Sequence, residues 1–573
     1  MYKVRGLIAV ALVTLVAVLL PIVALVIGIT SFKIIGAPTF SFLDFVESWY
    51  ALSLIATSLE FTLTHAALGV ALALFYAWMI AKTDLPGKRF FEILPILGLT
   101  LPLEVKAFSW IFLLDPHVGM LNLLSISIFG RGAPTFDIYG MAGMIWVATI
   151  GAVPLAYLII LPAMKSLDPS LEEASKSAGR GTFRTFYSVT FRLLLPAIAS
   201  AFMLSTISGL ANFDYPYLIG QPGGVHTLST EVYYWAEERS PPSFGSAGII
   251  SVVYVIMTAV AVGLYIWSTR KTYRFAVVTG ASGRQAFHKL RRWKPLALLA
   301  CFLIIFFEFI LPFVALLLES SSNIYLTGNL NSIKFDFPQA YIQAMNIPNF
   351  WTSLSATFQF GIASAALLTV ISALLSFATL KVKTRGARLT EFVTSIPLAF
   401  PGVVYGIALT WMFLVVPGLG RFYGTLLPLI FSLVVIRLPY TTRIVSANMV
   451  QVSNELEEAS QISGKGFWRT FARVTLPLVK GGLINSFVYG LVDSLRELGG
   501  VIILSAPGAM AFTALLLDYY YSHNTVGNVL AAGSVMLVGL IVVLLVGLKV
   551  AEAILGIGGR RQRKRSEAAP ENR

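Results

Sequence analysis

A polar stretch of twenty residues occurs twice in this chain. The two copies are 171–190, LEEASKSAGRGTFRTFYSVT, and 456–475, LEEASQISGKGFWRTFARVT. Twelve of the aligned positions are identical, at a constant offset of 285 residues. Because a repeat at this distance divides the chain into two parts of similar length, we expect two similar halves, each carrying the same polar segment.

The rest of the sequence is too apolar for a soluble globular protein. Hydrophobic residues make up 57% of the chain, charged residues make up 12%, and the mean hydropathy is +0.78. Soluble domains contain about 25% charged residues. The composition therefore indicates a protein that crosses the membrane several times. The one cysteine, Cys301, lies in an apolar segment, so neither a disulfide within the chain nor a thiolate metal site is expected.

Apolar segments long enough to cross a bilayer as helices, which takes about 20 residues, recur along both halves. They are 7–30, 53–81, 93–114, 138–164, 191–218 and 247–269, and then 296–318, 352–380, 393–416, 422–446, 474–504 and 527–557. We predict an all-α polytopic membrane protein with twelve transmembrane helices in two tandem sets of six. The expected domains are a first transmembrane domain, 1–275, a basic cytoplasmic linker, 276–295, a second transmembrane domain, 296–558, and a basic and polar cytoplasmic tail, 559–573.

The basic residues set the expected orientation. With the N-terminus in the cytoplasm, all but seven of the 42 Lys and Arg residues fall in cytoplasmic loops, in the tails or at the inner ends of helices. The exceptions are Lys33, Lys106, Arg131, Arg239, Lys334, Arg421 and Arg496. Cytoplasmic loops collect Lys and Arg, so the net charge of +14 follows from topology and does not indicate nucleic-acid binding. We expect a multi-pass protein of the cell membrane with both termini in the cytoplasm.

Each copy of the repeat has the features of a short helix, a turn and a second amphipathic helix. Residues that can cap the first helix are Asp168 and Ser170 in one copy and Ser453 and Asn454 in the other. Two glutamates follow in the first turn, where negative charge is favourable. Gly179 and Gly464 suit the left-handed residue that ends a helix. We therefore predict a short helix-turn-helix against the cytoplasmic face in each half.

The residues of this loop follow a wider pattern: Glu-Glu-Ala, then Gly five residues later, then a run that ends in Leu-Pro. The matching positions are Glu172, Glu173, Ala174 and Gly179 in the first copy and Glu457, Glu458, Ala459 and Gly464 in the second. The pattern resembles the cytoplasmic signature loop of permease subunits of binding-protein-dependent ABC importers. In that family the loop carries the coupling helix that fits a groove of the ATP-hydrolysing subunit.

Two such loops in one chain resemble the fused permeases, in which one polypeptide supplies both halves of the translocation pathway. This resemblance implies the fold of a type I ABC importer, with two tandem six-helix permease repeats. The first copy departs from the pattern, because Phe191-Arg192 stand where the second copy has Leu476-Pro477. Its exit into the next helix is therefore expected to differ.

A second, narrower resemblance lies downstream of each loop. Residues 493–508, DSLRELGGVIILSAPG, and residues 211–220, ANFDYPYLIG, are similar to the corresponding segments of the ferric-iron branch of fused permeases. The resemblance implies ferric iron as the transported solute. Related fused permeases carry thiamine, phosphonates or other small solutes, so these remain alternatives.

Transport against a gradient needs an energy source that this sequence does not contain. The phosphate-binding loop G-x-x-x-x-G-K-[ST] is absent, so ATP is expected to bind a separate ATPase subunit, and no cofactor is expected in this chain. The similarity of the two loops predicts an ATPase homodimer. The other expected partners are an extracytoplasmic solute-binding protein and the lipid bilayer. The chain itself is predicted to be a permease and not an enzyme.

Ionisable side chains at membrane depth are energetically expensive and often mark a pathway. The residues that we place at membrane depth are Glu60, Glu104, Lys106, Asp214, Asp493, Arg496 and Glu497. The spacing of Asp493, Arg496 and Glu497 places them on one helical face. Together with Asn212 and Asp214 at the matching place in the first half, they are the candidates for the translocation pathway or gate. The alternative is an Arg–carboxylate pair that joins two helices.

Two other classes of membrane protein fit the sequence less well. A secondary transporter of the major facilitator type also has two six-helix halves and a basic central loop, but it does not account for the repeated Glu-Glu-Ala loops. A membrane-embedded enzyme would need a histidine cluster, a His/Glu zinc motif or an activated nucleophile, and none is apparent. His117, His226 and His523 fall in predicted outer loops without ligand spacing, so no metal site is expected.

Overall fold

The computed structural model describes residues 2–30, 38–130, 132–269, 288–322, 324, 334, 335, 337–381, 394–506, 508–522 and 527–554. For residues 2–12, 28–30, 269, 381, 454, 467 and 551–554 it describes the backbone alone. Most of the expected linker, the expected tail 559–573, and Lys33, Arg131 and His523 lie outside the described residues.

The first half is built from helices. They are α1 (Tyr2–Thr30), α2 (Phe42–Val46), α3 (Trp49–Lys82), α4 (Lys88–Leu97), α5 (Leu103–Leu114), α6 (Met120–Phe129), α7 (Met141–Lys165), α8 (Pro169–Ser177), α9 (Thr182–Thr185), α10 (Phe191–Leu210), α11 (Leu228–Tyr233) and α12 (Phe244–Thr269). A π-helical turn, Phe186–Thr190, joins α9 to α10.

The second half repeats this arrangement. Its helices are α13 (Lys294–Ile305), α14 (Leu311–Ser320), α15 (Gln339–Met345), α16 (Phe350–Lys381), α17 (Gly402–Val415), α18 (Leu426–Met449), α19 (Asn454–Ile462), α20 (Phe467–Thr470), α21 (Leu476–Leu478), α22 (Lys480–Leu495), α23 (Phe512–Ser522) and α24 (Gly527–Ile554). π-helical turns join α13 to α14 and α20 to α21. Helices make up most of the described ranges, and these ranges contain no β-strand.

The helices account for the predicted spans in three ways. Eight described segments are long and apolar enough to cross a membrane by themselves. Two more spans are bent pairs, one of α4 with α5, bent by 97°, and one of Trp468–Leu478 with α22, bent by 75°. The last two predicted spans coincide with shorter apolar helices, one within α1 and the other α17. The helical, membrane-spanning fold is confirmed, and the count of twelve spans stays a prediction.

The third predicted span of each half is broken by a proline. In the first half the turn Gly98–Thr100 precedes Pro102, which caps α5. In the second half the turn Ile396–Ala399 precedes Pro401, which caps α17. Proline lacks a backbone N–H and pushes the residue before it out of the helical region. A continuous helix across 93–114 or 393–416 is therefore not formed.

The helix in the fifth predicted span of each half ends earlier than the sequence predicted. The sequence predicted 191–218 and 474–504, whereas α10 ends at Leu210 and α22 ends at Leu495. The chain then turns, and the residues up to 220 and 504 form short turns packed inside the protein. Apolar composition alone did not mark these helix ends.

The two halves are joined by an exchange of their first helices. Helix α1 packs on α17 of the second half, where the Tyr405 hydroxyl donates to the Ala17 carbonyl at 3.2 Å. Reciprocally, α14 of the second half packs on α5 of the first. At the offset of 299 residues, Lys106 on α5 is the counterpart of Tyr405, and it pairs with Glu308, which lies between α13 and α14. Each half is thus completed by a helix of the other.

The predicted difference between the two loop exits appears as a difference in helix shape. Thr182–Leu210 runs as one apolar span, but its counterpart bends by 75° at Val479. Pro477 and the pair Gly481-Gly482 flank this bend, and both residue types weaken a helix. The Leu-Pro sequence of the second copy therefore accompanies a kink that the first half lacks.

Candidate functional site

The first helix of each repeated loop starts and ends as its sequence indicates. Asp168 Oδ1 accepts from the Ser170 amide at 2.9 Å, and Ser453 Oγ accepts from the Glu455 amide at 3.3 Å. Asp168 and Ser453 are therefore the caps, and the amide of Ser170 helps lower the pKa of the Asp168 carboxyl. Gly179 ends α8 with φ of 79°.

The second loop ends in the same conformation, with φ of 79° at Gly464. A side chain at this position would meet no atom within 4 Å. The requirement for glycine is therefore one of backbone conformation, because residues with a Cβ atom are strained at positive φ.

The two glutamates of each Glu-Glu pair lie in different surroundings. Glu172 and Glu457 are buried, at 3% and 7% exposure. Each accepts a hydrogen bond from a threonine eighteen residues later, Glu172 from Thr190 at 2.8 Å and Glu457 from Thr475 at 2.9 Å. The sequence interpretation assigned both glutamates of each pair to helix-start charge. That is incomplete, because the first one holds the loop against the following helix.

A second repeated hydrogen bond closes each loop. Ser175 and Thr185 are joined through their hydroxyls at 3.0 Å, and Ser460 and Thr470 are joined in the same way at 3.0 Å. All four positions, like the threonines that bind the buried glutamates, are identical between the two copies. The identity of these positions in the two copies indicated a shared role, but the sequence did not show which residues form hydrogen bonds with one another.

The remaining residues of the signature face outward. Glu173, Ala174 and Gly179 are exposed in the first loop, as are Glu458, Ala459 and Gly464 in the second. Both loops therefore present the same short acidic and small-residue surface on a frame of matching internal hydrogen bonds. Such a surface can dock a partner without any chemistry in this chain.

The first loop is also tied to α3 and to the start of the second half. Lys82 Nζ lies 3.1 Å from Glu172 Oε1, and His288 Nε2 lies 3.9 Å from Glu172 Oε2. The backbone of His288 pairs with the end of α3, donating to the Lys82 carbonyl at 2.8 Å and accepting from the Asp84 amide at 3.1 Å. Burial lowers the pKa of His288, as do the charges of Lys176 and Lys82, while Glu172 raises it.

Asp84 strengthens this attachment of the linker. Its Oδ1 accepts from the Leu290 amide at 2.7 Å, and its Oδ2 lies 2.9 Å from Lys294 Nζ. Both contacts stabilise the charged carboxylate, so they lower the pKa of Asp84. These hydrogen bonds and the ion pair therefore hold residues 288–294, at the end of the linker, against the first half beside its repeated loop.

The pathway candidates lie where α10 and α22 end. Asn212 Oδ1 accepts from the Tyr215 amide at 3.0 Å, and Glu497 Oε1 accepts from the Gly500 amide at 2.7 Å. Asn212 and Glu497 are counterparts at the offset of 285 residues, and so are the two amides. The backbone carbonyls of the two residues accept from hydroxyls of Ser229 and Thr513, at 3.0 and 2.9 Å. These contacts close equivalent turns directly after the two helices.

Asp493 and Glu497 form ion pairs with an arginine that the sequence interpretation did not include. Arg437, on α18, contacts both carboxylates, and all three side chains are partly buried. Arg437 had been assigned to the inner end of a helix with the topological basic residues. These ion pairs connect α18 to the end of α22 through Arg437 and not through Arg496. The choice between a pathway role and a structural role for Asp493 and Glu497 stays open.

Arg496 instead reaches the other half of the protein. Its guanidinium donates to the Leu101 carbonyl at 3.0 Å, across 395 residues of sequence. It acts electrostatically on Glu104 and Asp214, which are 0% and 5% exposed. The structure therefore brings Arg496 and Asp214 together, and it adds Glu104 to the same interface between the halves.

Lys106 and Glu308 extend this polar interface. Their side chains are 2% and 1% exposed, with Lys106 Nζ 3.5 Å from Glu308 Oε1 and 3.3 Å from the Gly98 carbonyl. Glu60, by contrast, is exposed on α3, and His65 is buried against Gly209 with its Nδ1 2.9 Å from the Phe61 carbonyl. Within the described ranges, no group of three or more His, Cys, Asp or Glu side chains is placed to hold a metal ion.

A family model matches both halves of the chain. The model is described as the binding-protein-dependent transport system inner membrane component, and it matches residues 66–274 and 375–563. Each matched stretch contains one repeated loop and the end of the helix that follows it. The duplication read from the sequence is therefore a duplication of one domain.

Curated relatives include permeases for different solutes. A ferric transport system permease protein of Actinobacillus pleuropneumoniae is 24% identical over 488 residues, which are 83% of this chain and 67% of the relative. An Fe(3+)-transport system permease protein of Haemophilus influenzae is 24% identical over 76% of this chain and 78% of the relative. A molybdenum transport system permease protein of Escherichia coli is 24% identical over 39% of this chain and 93% of the relative.

Proposed function

Because this chain belongs to the family of binding-protein-dependent transport system inner membrane components, we propose that it forms the whole translocation pathway of an ABC importer for ferric iron. In this proposal an extracytoplasmic binding protein delivers the solute, and a separate ATPase drives its passage. The domain bounds 1–275, 276–295, 296–558 and 559–573, and the cytoplasmic placement of both termini, are part of the proposal.

One observation carries the role of the loops. The two copies share the position of the helix cap, the same internal hydrogen bonds and the same exposed Glu-Ala surface. A loop that only sealed the cytoplasmic face would need no such match between its exposed positions. We assign Glu173, Ala174 and Gly179, and Glu458, Ala459 and Gly464, to contact with the ATPase, and Glu172 and Glu457 to holding that surface in place.

The match between the loops also supports an ATPase homodimer. Two identical ATPase subunits present two identical grooves, which two nearly identical surfaces can fill. Closure of the subunits on ATP would move both loops, and because each half contains a first helix from the other, the halves would move relative to one another around their shared interface.

Ferric iron is the solute that the comparisons favour. Two relatives that each match about three quarters or more of this chain are named for ferric transport. The molybdenum relative covers 39% of the chain, so it supports the shared permease domain more than a shared solute. The first alternative is an importer of the same architecture that carries thiamine, a phosphonate or another small solute. The second, less well supported, is a twelve-span secondary transporter.

Reconstitution in proteoliposomes tests this function. We expect the purified chain alone to hydrolyse no ATP and to transport no iron. Addition of its ATPase and its loaded binding protein should give ATP-dependent uptake of radioactive ferric iron. Uptake by the lone chain, driven by an ion gradient, would contradict the proposal. ATP-dependent uptake of a different solute, with none of iron, would retain the importer and exclude the iron assignment.

A further inference from the structure

A layer of three aromatic side chains crosses the interface between the two halves. Phe213 and Tyr217, in the segment after α10, stack their rings with centroids 4.8 Å apart. Tyr521, near the end of α23 in the second half, continues the layer with its ring centroid 5.2 Å from that of Tyr217. Because α10 and α22 lead away from the repeated loops, the layer lies toward the opposite end of the protein. The proposed orientation makes this the outer end.

The aromatic layer closes the interface from its buried part to its edge. Phe213 and Tyr217 are 1% and 5% exposed, whereas Tyr521 is 43% exposed. Gly499 of the second half packs against Phe213, since a Cβ atom at Gly499 would lie 3.3 Å from the Phe213 Cβ atom. At the edge, the Tyr521 hydroxyl donates to the Tyr217 carbonyl at 3.3 Å, across 304 residues of sequence. The buried rings therefore fill the interface, and Tyr521 covers them on its exposed side.

Tyr217 is held more firmly to its own half than to the other. Its hydroxyl donates to Glu238 Oε1 at 2.6 Å, and Gln221 Nε2 donates to Glu238 Oε2 at 3.0 Å. Its ring also packs on Tyr233 with centroids 5.2 Å apart. Hydrogen bonds to a carboxylate are stronger than those between neutral groups. The single neutral hydrogen bond from Tyr521 is therefore the contact of Tyr217 that breaks most easily.

The duplication does not repeat this aromatic contact. At the offset of 285 residues, the counterpart of Tyr217 is Ile502 and that of Tyr521 is Ala236. Aromatic pairs contribute attraction beyond the area that they bury, and neither counterpart can form one. The closure by tyrosines is therefore confined to one of the two equivalent places.

We propose that Tyr217 and Tyr521 form a one-sided aromatic gate at the outer end of the interface, with Glu238 as the positioning residue that holds Tyr217. The proposal rests on the proposed transport function and deepens it, because it names the contact that opens when the solute enters. Opening separates one ring contact and breaks one neutral hydrogen bond, while the bond between Tyr217 and Glu238 stays intact within the first half. Tyr521 then moves away with α23.

Distances between spin labels at the outer end test the gate without any solute. Pro222 and Pro417 are exposed, belong to different halves and do not adjoin Tyr521. Nitroxides on Pro222→Cys and Pro417→Cys, in a Cys301→Ala background, report the separation of the halves in nanodiscs. Without nucleotide, we expect Tyr521→Ala to raise the population with the longer distance by about two- to tenfold, as loss of an aromatic pair would. Unchanged distances in Tyr521→Ala would overturn the gate.

Two further variants separate the gate from a general effect of mutation. Tyr521→Phe keeps the ring and loses the hydroxyl, so its distances should lie between those of the labelled parent and Tyr521→Ala. Tyr234→Ala is the control, because Tyr234 is exposed and packs its ring on Trp235 of its own half. The control should match the labelled parent. An increase of the longer distance in Tyr234→Ala equal to that in Tyr521→Ala would overturn the assignment to Tyr521.

Basal ATP hydrolysis by the complex with the ATPase gives a second readout. Without the binding protein, we expect Tyr521→Ala to raise hydrolysis by about two- to tenfold, because the open state becomes populated without its trigger. Glu238→Gln weakens the hold on Tyr217 and should give a smaller rise. Wild-type hydrolysis in both variants would overturn the gate. Longer distances in Tyr521→Ala, in a complex that transports no iron, would retain the gate and reject iron as the solute.

Discussion

At the scale of residues, each Glu-Glu pair separates a structural role from a surface role. Glu457 is buried and accepts from Thr475 at 2.9 Å, whereas Glu458 is exposed. The same division holds for Glu172 and Glu173. Sequence alone could identify the pair through its repetition, but not this division, because the two residues are adjacent and chemically identical. Only the packing of the following helix distinguishes them.

Replacement of these two glutamates should therefore have different effects, one on the stability of the protein and the other on binding of the ATPase. We predict that Glu457→Ala destabilises the protein by about 1–3 kcal/mol, because it leaves the buried Thr475 hydroxyl without its acceptor. Glu458→Ala should change stability by less than about 0.5 kcal/mol and should weaken binding of the ATPase. Thermal unfolding of the detergent-solubilised chain and ATPase pull-down measure the two effects. Equal stability of the two variants would contradict the division.

The glycine that ends the first helix of the second loop offers a second matched pair. Gly464 has φ of 79°, Gly466 does not have a positive φ, and a side chain at either position would meet no atom within 4 Å. We predict that Gly464→Leu distorts the helix end at a cost of about 1–2 kcal/mol and lowers uptake per ATP, while the membrane helices stay folded. Gly466→Leu is the control for side-chain bulk. Unchanged coupled transport in Gly464→Leu would count against the docking role.

At the scale of elements, Arg437 joins α18 to α22 through Asp493 and to the turn after α22 through Glu497. The sequence placed both acids on one helical face, and it left open whether they line a pathway or hold a helix. It missed Arg437 because that residue lies in an apolar run on a different helix, 56 residues from Asp493 along the chain. Contacts between helices at such separation are set by packing, which periodicity does not encode.

Removal of Arg437 should destabilise the second half. Arg437→Gln leaves two partly buried carboxylates without their cation, and we expect a loss of about 3–5 kcal/mol at most, reduced by their partial exposure. Arg437→Gln/Asp493→Asn should recover part of this loss, because one uncompensated charge is removed. Thermal unfolding of the single and double variants measures the coupling. A double variant that is no more stable than Arg437→Gln would show that the pair does not join the helices.

The attachment of the linker to the first loop should depend on pH. Burial lowers the pKa of His288 below its ordinary value of 6.5, so the docked linker favours the neutral ring. The groups that face it are Lys82, Glu172 and Lys176. The stability of this attachment is therefore complete above about pH 6.5 and declines as the pH falls below it. Hydrogen exchange at the His288 and Asp84 amides from pH 8 to pH 5, with His288→Asn as the control, measures the decline. A pH-independent exchange protection, after correction for intrinsic rates, would contradict it.

At the scale of the whole molecule, two similar halves are joined by unequal contacts. Lys106 pairs with Glu308 where Tyr405 donates to Ala17 at the equivalent place, and only the second loop leads into a helix bent by 75°. The sequence predicted the duplication and the asymmetric exit. It did not predict the exchange of first helices or the contact of Arg496 with Leu101, because both join residues of different halves. The two halves match in the internal hydrogen bonds of their repeated loops.

Site-directed cross-linking tests most directly whether the two loops are a docking pair for the ATPase. Cys301 is the one native cysteine and is buried, so a Cys301→Ala background allows single cysteines to be introduced. Ala174→Cys and Ala459→Cys are the test positions, and Thr135→Cys, exposed in the loop between α6 and α7, is the control. A maleimide reagent with a benzophenone as its second, photoreactive group should join both test positions to the ATPase on illumination and leave the control position unlinked. Failure of both Ala174→Cys and Ala459→Cys to cross-link in an actively transporting complex would contradict the account.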